Sequence, residues 1–218
     1  MKKDKYPFLF RFILNLLRKK NKKRKVSGYV VATPCVFLCR HRDVNGVIWA
    51  FVDIKEKVRP WMLDCLCDYK SAKEHFYYYT FLQRKPKSHF FRVLLSPVCA
   101  FFLVFLSKRL FAIPVYRKDK ASKSITTIKQ TVKALENGDN ILIFIDTDYA
   151  DENEKSSGEI YKGFYAVDKL YYRRNKKHIP FIPVFSNQDG TTIREPIYFD
   201  ENKREEFYKK IIYGIYNP

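Results

Sequence analysis

Hydrophobic positions along this 218-residue chain fall into helical and strand-like runs that alternate. Ile125, Ile128, Val132 and Leu135 recur at helical spacing and predict a helix over residues 122–136, closed by Asn137-Gly138. Residues 141–145 are apolar without a break, the pattern of a strand buried on both faces. Residues 60–67 read as a strand, and so do residues 30–40, rich in β-branched and aromatic residues, and residues 111–116, 181–185 and 193–198, with Asp189-Gly190 turning between the last two. Residues 71–83 read as a helix capped by Ser71, with Glu74 three residues on. Residues 158–173 are helical in their later part, residues 201–213 form a terminal helix, and residues 47–53 fit helix or strand equally. Strands alternating with helices imply an α/β fold: a mixed, largely parallel sheet flanked by helices, with an antiparallel portion.

Two apolar runs stand outside this alternation. In residues 7–17, Arg11, Asn15 and Arg18 fall on one helical face while Phe8, Leu9, Phe12, Ile13 and Leu16 cover much of the rest. That is the pattern of an amphipathic helix lying in a membrane interface, and the run is too short to span a bilayer. Arg11 interrupts it, a basic run follows, and no small-residue cleavage site appears, so the segment is expected to be retained rather than removed as a signal peptide. Residues 93–106 are also short of a span, and Pro97 is expected to kink or break a helix there. They suit a core helix and a helix dipping into a leaflet equally.

Charge sharpens the membrane reading. The formal net charge is +19, and residues 1–25 hold eleven Lys/Arg against one Asp, a share of +10. A polybasic run beside apolar residues is drawn to anionic phospholipid, by about 1 kcal/mol per basic residue near the surface. We therefore read residues 1–25 as a basic membrane-associating arm and residues 26–218 as one domain. Nucleic acid is not expected as a partner: residues 77–79 and 171–174 offer only fragments of an aromatic and basic face. The five cysteines match neither a disulfide framework nor a zinc motif, and read as reduced, buried thiols.

The residues suited to chemistry follow the strands. His41 stands at the carboxyl end of a predicted strand, where ligands of α/β sheets bind, and its imidazole suits a general base near neutrality. Ile113-Pro114-Val115-Tyr116-Arg117 ends a second strand in a guanidinium suited to bidentate phosphate binding. A third ends in Phe144-Ile145-Asp146-Thr147, and an acid there is costly unless it finds a partner or faces a site. Asp148 alternates to the face of Asp146. Lys162-Gly163 precedes a helix, whose first N–H groups can hold an anion. No metal ligand set is identifiable.

In order and spacing, residues 30–200 resemble the glycerol-phosphate and lysophosphatidate acyltransferases as a divergent member. The resemblance implies transfer of a fatty acyl group from an acyl thioester, coenzyme A or acyl-carrier protein, to the hydroxyl of a lysophospholipid, foremost 1-acylglycerol-3-phosphate. No bound cofactor is implied. The protein would sit on the cytoplasmic face of the membrane, peripherally or monotopically. His41 would be the base, and Arg117, with Lys162 and Gly163, would hold the acceptor phosphate. Asp146 and Thr147 would shape the acceptor site. The family's first block is H-x-x-x-x-D, and here the last position is Gly46. Asp43 is the nearest substitute acid and Asp53 a further one.

Overall fold

The computed structural model describes residues 6–29, 32–41, 43–84, 87–116, 121–146 and 161–217. The chain divides into two compact units, residues 1–58 with 128–218, and residues 59–127. It is an α/β protein whose strands pair mostly in parallel, with helices packed on them.

The first unit opens with α1 (Phe8–Lys20), followed by β1 (Lys25–Gly28), β2 (Val36–Cys39) and α2 (Asp43–Asp53). The 193–198 strand and the Asp189-Gly190 turn need correcting. Instead Gly190 begins a strand, Gly190–Ile193, and residue 197 makes only an isolated bridge to Phe181. Asn187 accounts for the shift. Its side-chain oxygen accepts the N–H groups of Asp189 and Gly190, so the turn closes before Gly190.

The second unit holds β3 (Val58–Leu63, starting on the last residue of the first unit), α3 (Tyr69–His75), α4 (His89–Arg109) and β4 (Ile113–Val115). β3 and β4 pair in parallel, Trp61 opposite Ile113. Residues 64–66, read as strand, form a 3₁₀ turn. The cap of α3 is Asp68, not Ser71: its carboxylate accepts the backbone N–H and the hydroxyl of Ser71, both at 3.1 Å, and these bonds hold its pKa below the usual carboxylate value. α3 continues as a π-helical stretch over Phe76–Arg84.

α4 departs most from expectation. It runs 21 residues straight past Pro97, long and apolar enough by length and composition to cross a membrane. Hydrogen bonding, not apolarity, sets helix ends, so the flanks His89–Arg92 and Ser107–Arg109, which hold the polar residues His89, Arg92, Ser107, Lys108 and Arg109, lengthen the 93–106 run. Small residues, Ser96, Ala100 and Ser107, are buried with Val104, and this side packs against Ala72 of α3.

The chain returns to the first unit within α5 (Ala121–Glu136), then runs through β5 (Asn140–Phe144), α6 (Tyr165–Asn175), β6 (Phe181–Ser186), β7 (Gly190–Ile193) and α7 (Arg204–Tyr216). α5 matches its predicted bounds within a residue, and Gly138 ends it at φ 83°, a value glycine adopts without strain. Its buried stripe runs through Thr131, Val132 and Leu135, whereas Ile125 is exposed.

The unit's strand order is β1-β7-β6-β2-β5. β2 pairs in parallel with β5 and β6, β1 with β7, and only β6 and β7 run antiparallel. All four residues of β2 are buried, as a central strand covered on both faces requires. One face, Cys35, Phe37 and Cys39, packs with Ala50 of α2 and with Ile54 just beyond it. On the other side of the sheet, Phe164, Phe181, Phe207 and Tyr208 form an edge-to-face cluster under α7.

α1 packs on α2. Phe10 sets its ring on the edge of Phe51 at 5.7 Å, and Arg18 Nε donates to the Val52 carbonyl at 3.0 Å. Phe10 and Leu14 are buried, but Phe8, Leu9, Phe12 and Leu16 are exposed, Phe8 at 77%. The apolar sector of α1 is therefore wider than the part the domain covers.

Candidate functional site

The register of the central strands places the first pair of residues. Cys39 of β2 lies opposite Phe144 of β5 in a parallel pairing. Two residues beyond each come His41 and Asp146, so both emerge at the same, carboxyl end of adjacent strands. Asp146 is 5% exposed, and its two carboxylate oxygens accept the His41 backbone N–H at 2.9 and 3.0 Å. A buried carboxylate thereby finds a donor, and the residue bearing the imidazole is pinned at the strand end. The His41 ring meets the Phe144 ring edge-on, centroids 5.3 Å apart.

The glycine five residues after His41 has a steric reason. Gly46 lies in the first turn of α2, against the His41 backbone. A Cβ there would fall 2.6 Å from the His41 carbonyl carbon and closer still to its oxygen. No residue larger than glycine fits without moving the strand end or the helix. We predict that Gly46→Ala and Gly46→Asp each lower stability by about 1–3 kcal/mol or more, read as a fall in the urea midpoint. Gly46→Asp is not expected to raise any activity, because the new carboxylate cannot enter without displacing His41.

Lys162 and Gly163 approach the same strand ends. Tyr161 N–H donates to the Ile145 carbonyl at 2.6 Å, which returns the chain to the end of β5. Lys162 and Gly163 then form a 3₁₀ turn leading into α6. Tyr208 of α7 fixes this turn: its hydroxyl donates to the Lys162 carbonyl at 3.0 Å, and the Lys162 ammonium stands 5.2 Å from the Tyr208 ring centre. Sequence reading missed Tyr161 and Tyr208 because nothing in local spacing links them to Lys162. Arg117 and Thr147, like Asp148, lie outside the described residues, as does the side chain of Asp43, whose backbone opens α2.

Asp53 is not available to His41. Its carboxylate is committed to Arg24, Nη2 at 2.7 Å and Nε at 3.1 Å. A histidine–carboxylate side-chain pair that was not anticipated joins α6 to the α6–β6 connection. His178 Nδ1 stands 2.8 Å from Asp168 Oδ2, and Asp168 Oδ1 accepts the Ile179 N–H at 2.8 Å. Burial pushes the Asp168 pKa up, opposed by the Ile179 bond and by His178. An open hollow of about 730 Å³, lined by Arg194, Tyr198, Lys210 and Tyr213 among others, includes none of the residues around His41.

Among the described residues no group of three or more His, Cys, Asp and Glu is placed to hold a metal. Cys35 and Cys39 are buried within the sheet, and burial raises both thiol pKa values; that of Cys67 is pushed up to about 11. Thiolate is the reactive form. Cys35 and Cys39 should therefore resist iodoacetamide at neutral pH in the folded protein and react fully in denaturant, as peptide mass mapping would record.

Comparison with protein-family models, with curated proteins and with solved structures found no match to this chain.

Proposed function

We propose that this protein is a membrane-associated O-acyltransferase. It moves a fatty acyl group from an acyl thioester, of coenzyme A or acyl-carrier protein, to the free hydroxyl of a lysophospholipid such as 1-acylglycerol-3-phosphate. The observation that carries the reading is the arrangement at the ends of β2 and β5. A histidine follows the central strand, its backbone is clasped by a buried carboxylate on the next strand, and a Lys-Gly turn arrives beside them. Ligands of α/β sheets bind at this end.

In the proposed reaction the His41 imidazole takes the proton of the acceptor hydroxyl as its oxygen attacks the thioester carbonyl. A C–O bond forms and the C–S bond breaks. The thiolate leaves and recovers the proton from the imidazolium, so no net proton is consumed. Asp146 acts as a positioning residue through the His41 backbone. Lys162 supplies a cation for the acceptor phosphate, and Arg117 is assigned the same role on the family resemblance. The exposed Phe8, Leu9, Phe12 and Leu16 of α1, with the basic residues around them, support attachment at the cytoplasmic face of an anionic membrane, peripherally or monotopically. The basic surface would also steer an acidic carrier protein.

One observation favours a second reading, a lipid-binding relative with weakened chemistry: the backbone packing at Gly46 bars the family's acid. The two readings separate in one experiment. Purified protein is incubated with anionic vesicles containing 1-acylglycerol-3-phosphate and either thioester donor, and diacyl product is measured beside vesicle binding. Product formation supports the enzyme. Vesicle binding without product from either donor, across several lysophospholipids, leaves the binding protein.

A further inference from the structure

We propose that α4 is a second, independent membrane-contact element, lying along the leaflet surface with its large apolar face among the acyl chains rather than crossing the bilayer. The helix has two unlike sides. Its small side packs on α3. The other carries Phe90, Leu94, Val98, Phe101 and Phe102, which recur at spacings of three and four and so form one stripe. These side chains are exposed, Phe90 at 70%, Val98 at 61% and Phe101 at 68%. A face of this size and hydrophobicity marks an interaction site.

Charge selects the occupant. Between Glu74 and Asp119 the chain carries eight Lys/Arg and not one Asp or Glu. Lys87 precedes α4, Arg92 lies in its first turn, and Lys108 and Arg109 lie in its last. Basic side chains flanking an apolar stripe complement anionic headgroups above an acyl layer.

Topology argues against a crossing. β3 and β4 are parallel neighbours, so the chain that leaves β3 must come back to the start of β4. If α4 crossed, residues 64–88 would have to cross as well. That stretch carries Lys70, Lys73, Glu74, Arg84, Lys85 and Lys87 and has no apolar run of spanning length. Lying in the interface buries the stripe and leaves these charges in water.

The inference does not depend on the acyl-transfer reading, and no part of its test measures turnover. The full chain is bound to vesicles of phosphatidylcholine with phosphatidylglycerol, doped with a lipid bearing a photoreactive diazirine in its acyl chain, and cross-links are mapped by mass spectrometry. Cross-links at Phe101 and Phe102 are expected. Val98→Glu/Phe101→Glu alters only exposed positions; it should keep the wild-type circular dichroism and weaken vesicle binding by about tenfold or more. Cross-links confined to residues 8–16, together with wild-type binding by the double variant, would overturn the proposal. So would protection of Lys87 or Lys108 from an impermeant amine reagent in sealed vesicles, the mark of a crossing helix. A lipid-free dimer that the double variant dissociates would assign the stripe to a second copy of this chain and overturn it too.

Discussion

His41→Ala is expected to lower the proposed acyl transfer by about 10²–10⁴-fold, with little change in folding. The ring is half-buried and packs edge-on against Phe144, so its removal should cost about 1 kcal/mol of stability. The backbone N–H that Asp146 holds is untouched by the substitution. Asp146→Ala should behave differently. It strips both acceptors from a buried N–H, a loss of about 1–3 kcal/mol in chemical denaturation, and it releases the strand end that carries the imidazole. Turnover should then fall through kcat, since a displaced base lowers the chemical step more than acceptor binding. Asp146→Asn keeps one acceptor oxygen and should fall between. Should His41→Ala turn over like wild type, His41 is not the base, whatever Asp146 does.

This pair also marks how far sequence reaches. The strand ends were legible because buried parallel strands announce themselves as unbroken apolar runs: residues 141–145 were read nearly to their observed bounds. Helix α5 was legible because its caps and periodicity agree. The link between His41 and Asp146 was not. It runs from a side chain to a backbone N–H 105 residues away, and depends on the β2–β5 register, which neither strand alone specifies. Gly46 shows the reverse. The sequence shows a glycine five residues after His41, and only the packing against the His41 carbonyl explains why it stands there. β1 went unread because four exposed residues on a sheet edge carry no apolar signal. α4 was cut short because an unbroken apolar run drew its ends, while the turns holding Arg92 and Lys108-Arg109 are helical by hydrogen bonding.

Removing either partner of the Arg24–Asp53 pair is the substitution expected to harm folding most. The two side chains are 5% and 4% exposed. Arg24 Nη2 also donates to Ser186 Oγ and Thr191 Oγ1, each at 3.0 Å, and Nη1 donates to the Asn187 carbonyl. Thr191 Oγ1 in turn donates to Asp53 Oδ2 at 2.7 Å, and the Trp49 ring lies 4.4 Å beneath the guanidinium. An ion so enclosed has no water to fall back on. Asp53→Leu or Arg24→Met alone should cost about 3–5 kcal/mol, because each leaves its partner charged and buried. The double variant Arg24→Met/Asp53→Leu should cost far less than the two single losses together, since no charge remains to be stranded. Urea denaturation of the four proteins closes the cycle. The consequence reaches the N-terminal arm: Arg24 immediately precedes β1, and its bonds tie that edge strand to β6 and β7 and so fix where α1 leaves the sheet. Single variants should therefore expose the 21–24 linker to trypsin before the domain itself unfolds, and the double variant should restore protection. Equal protease resistance in all four proteins would mean that the arm is held elsewhere, through α1 on α2 alone.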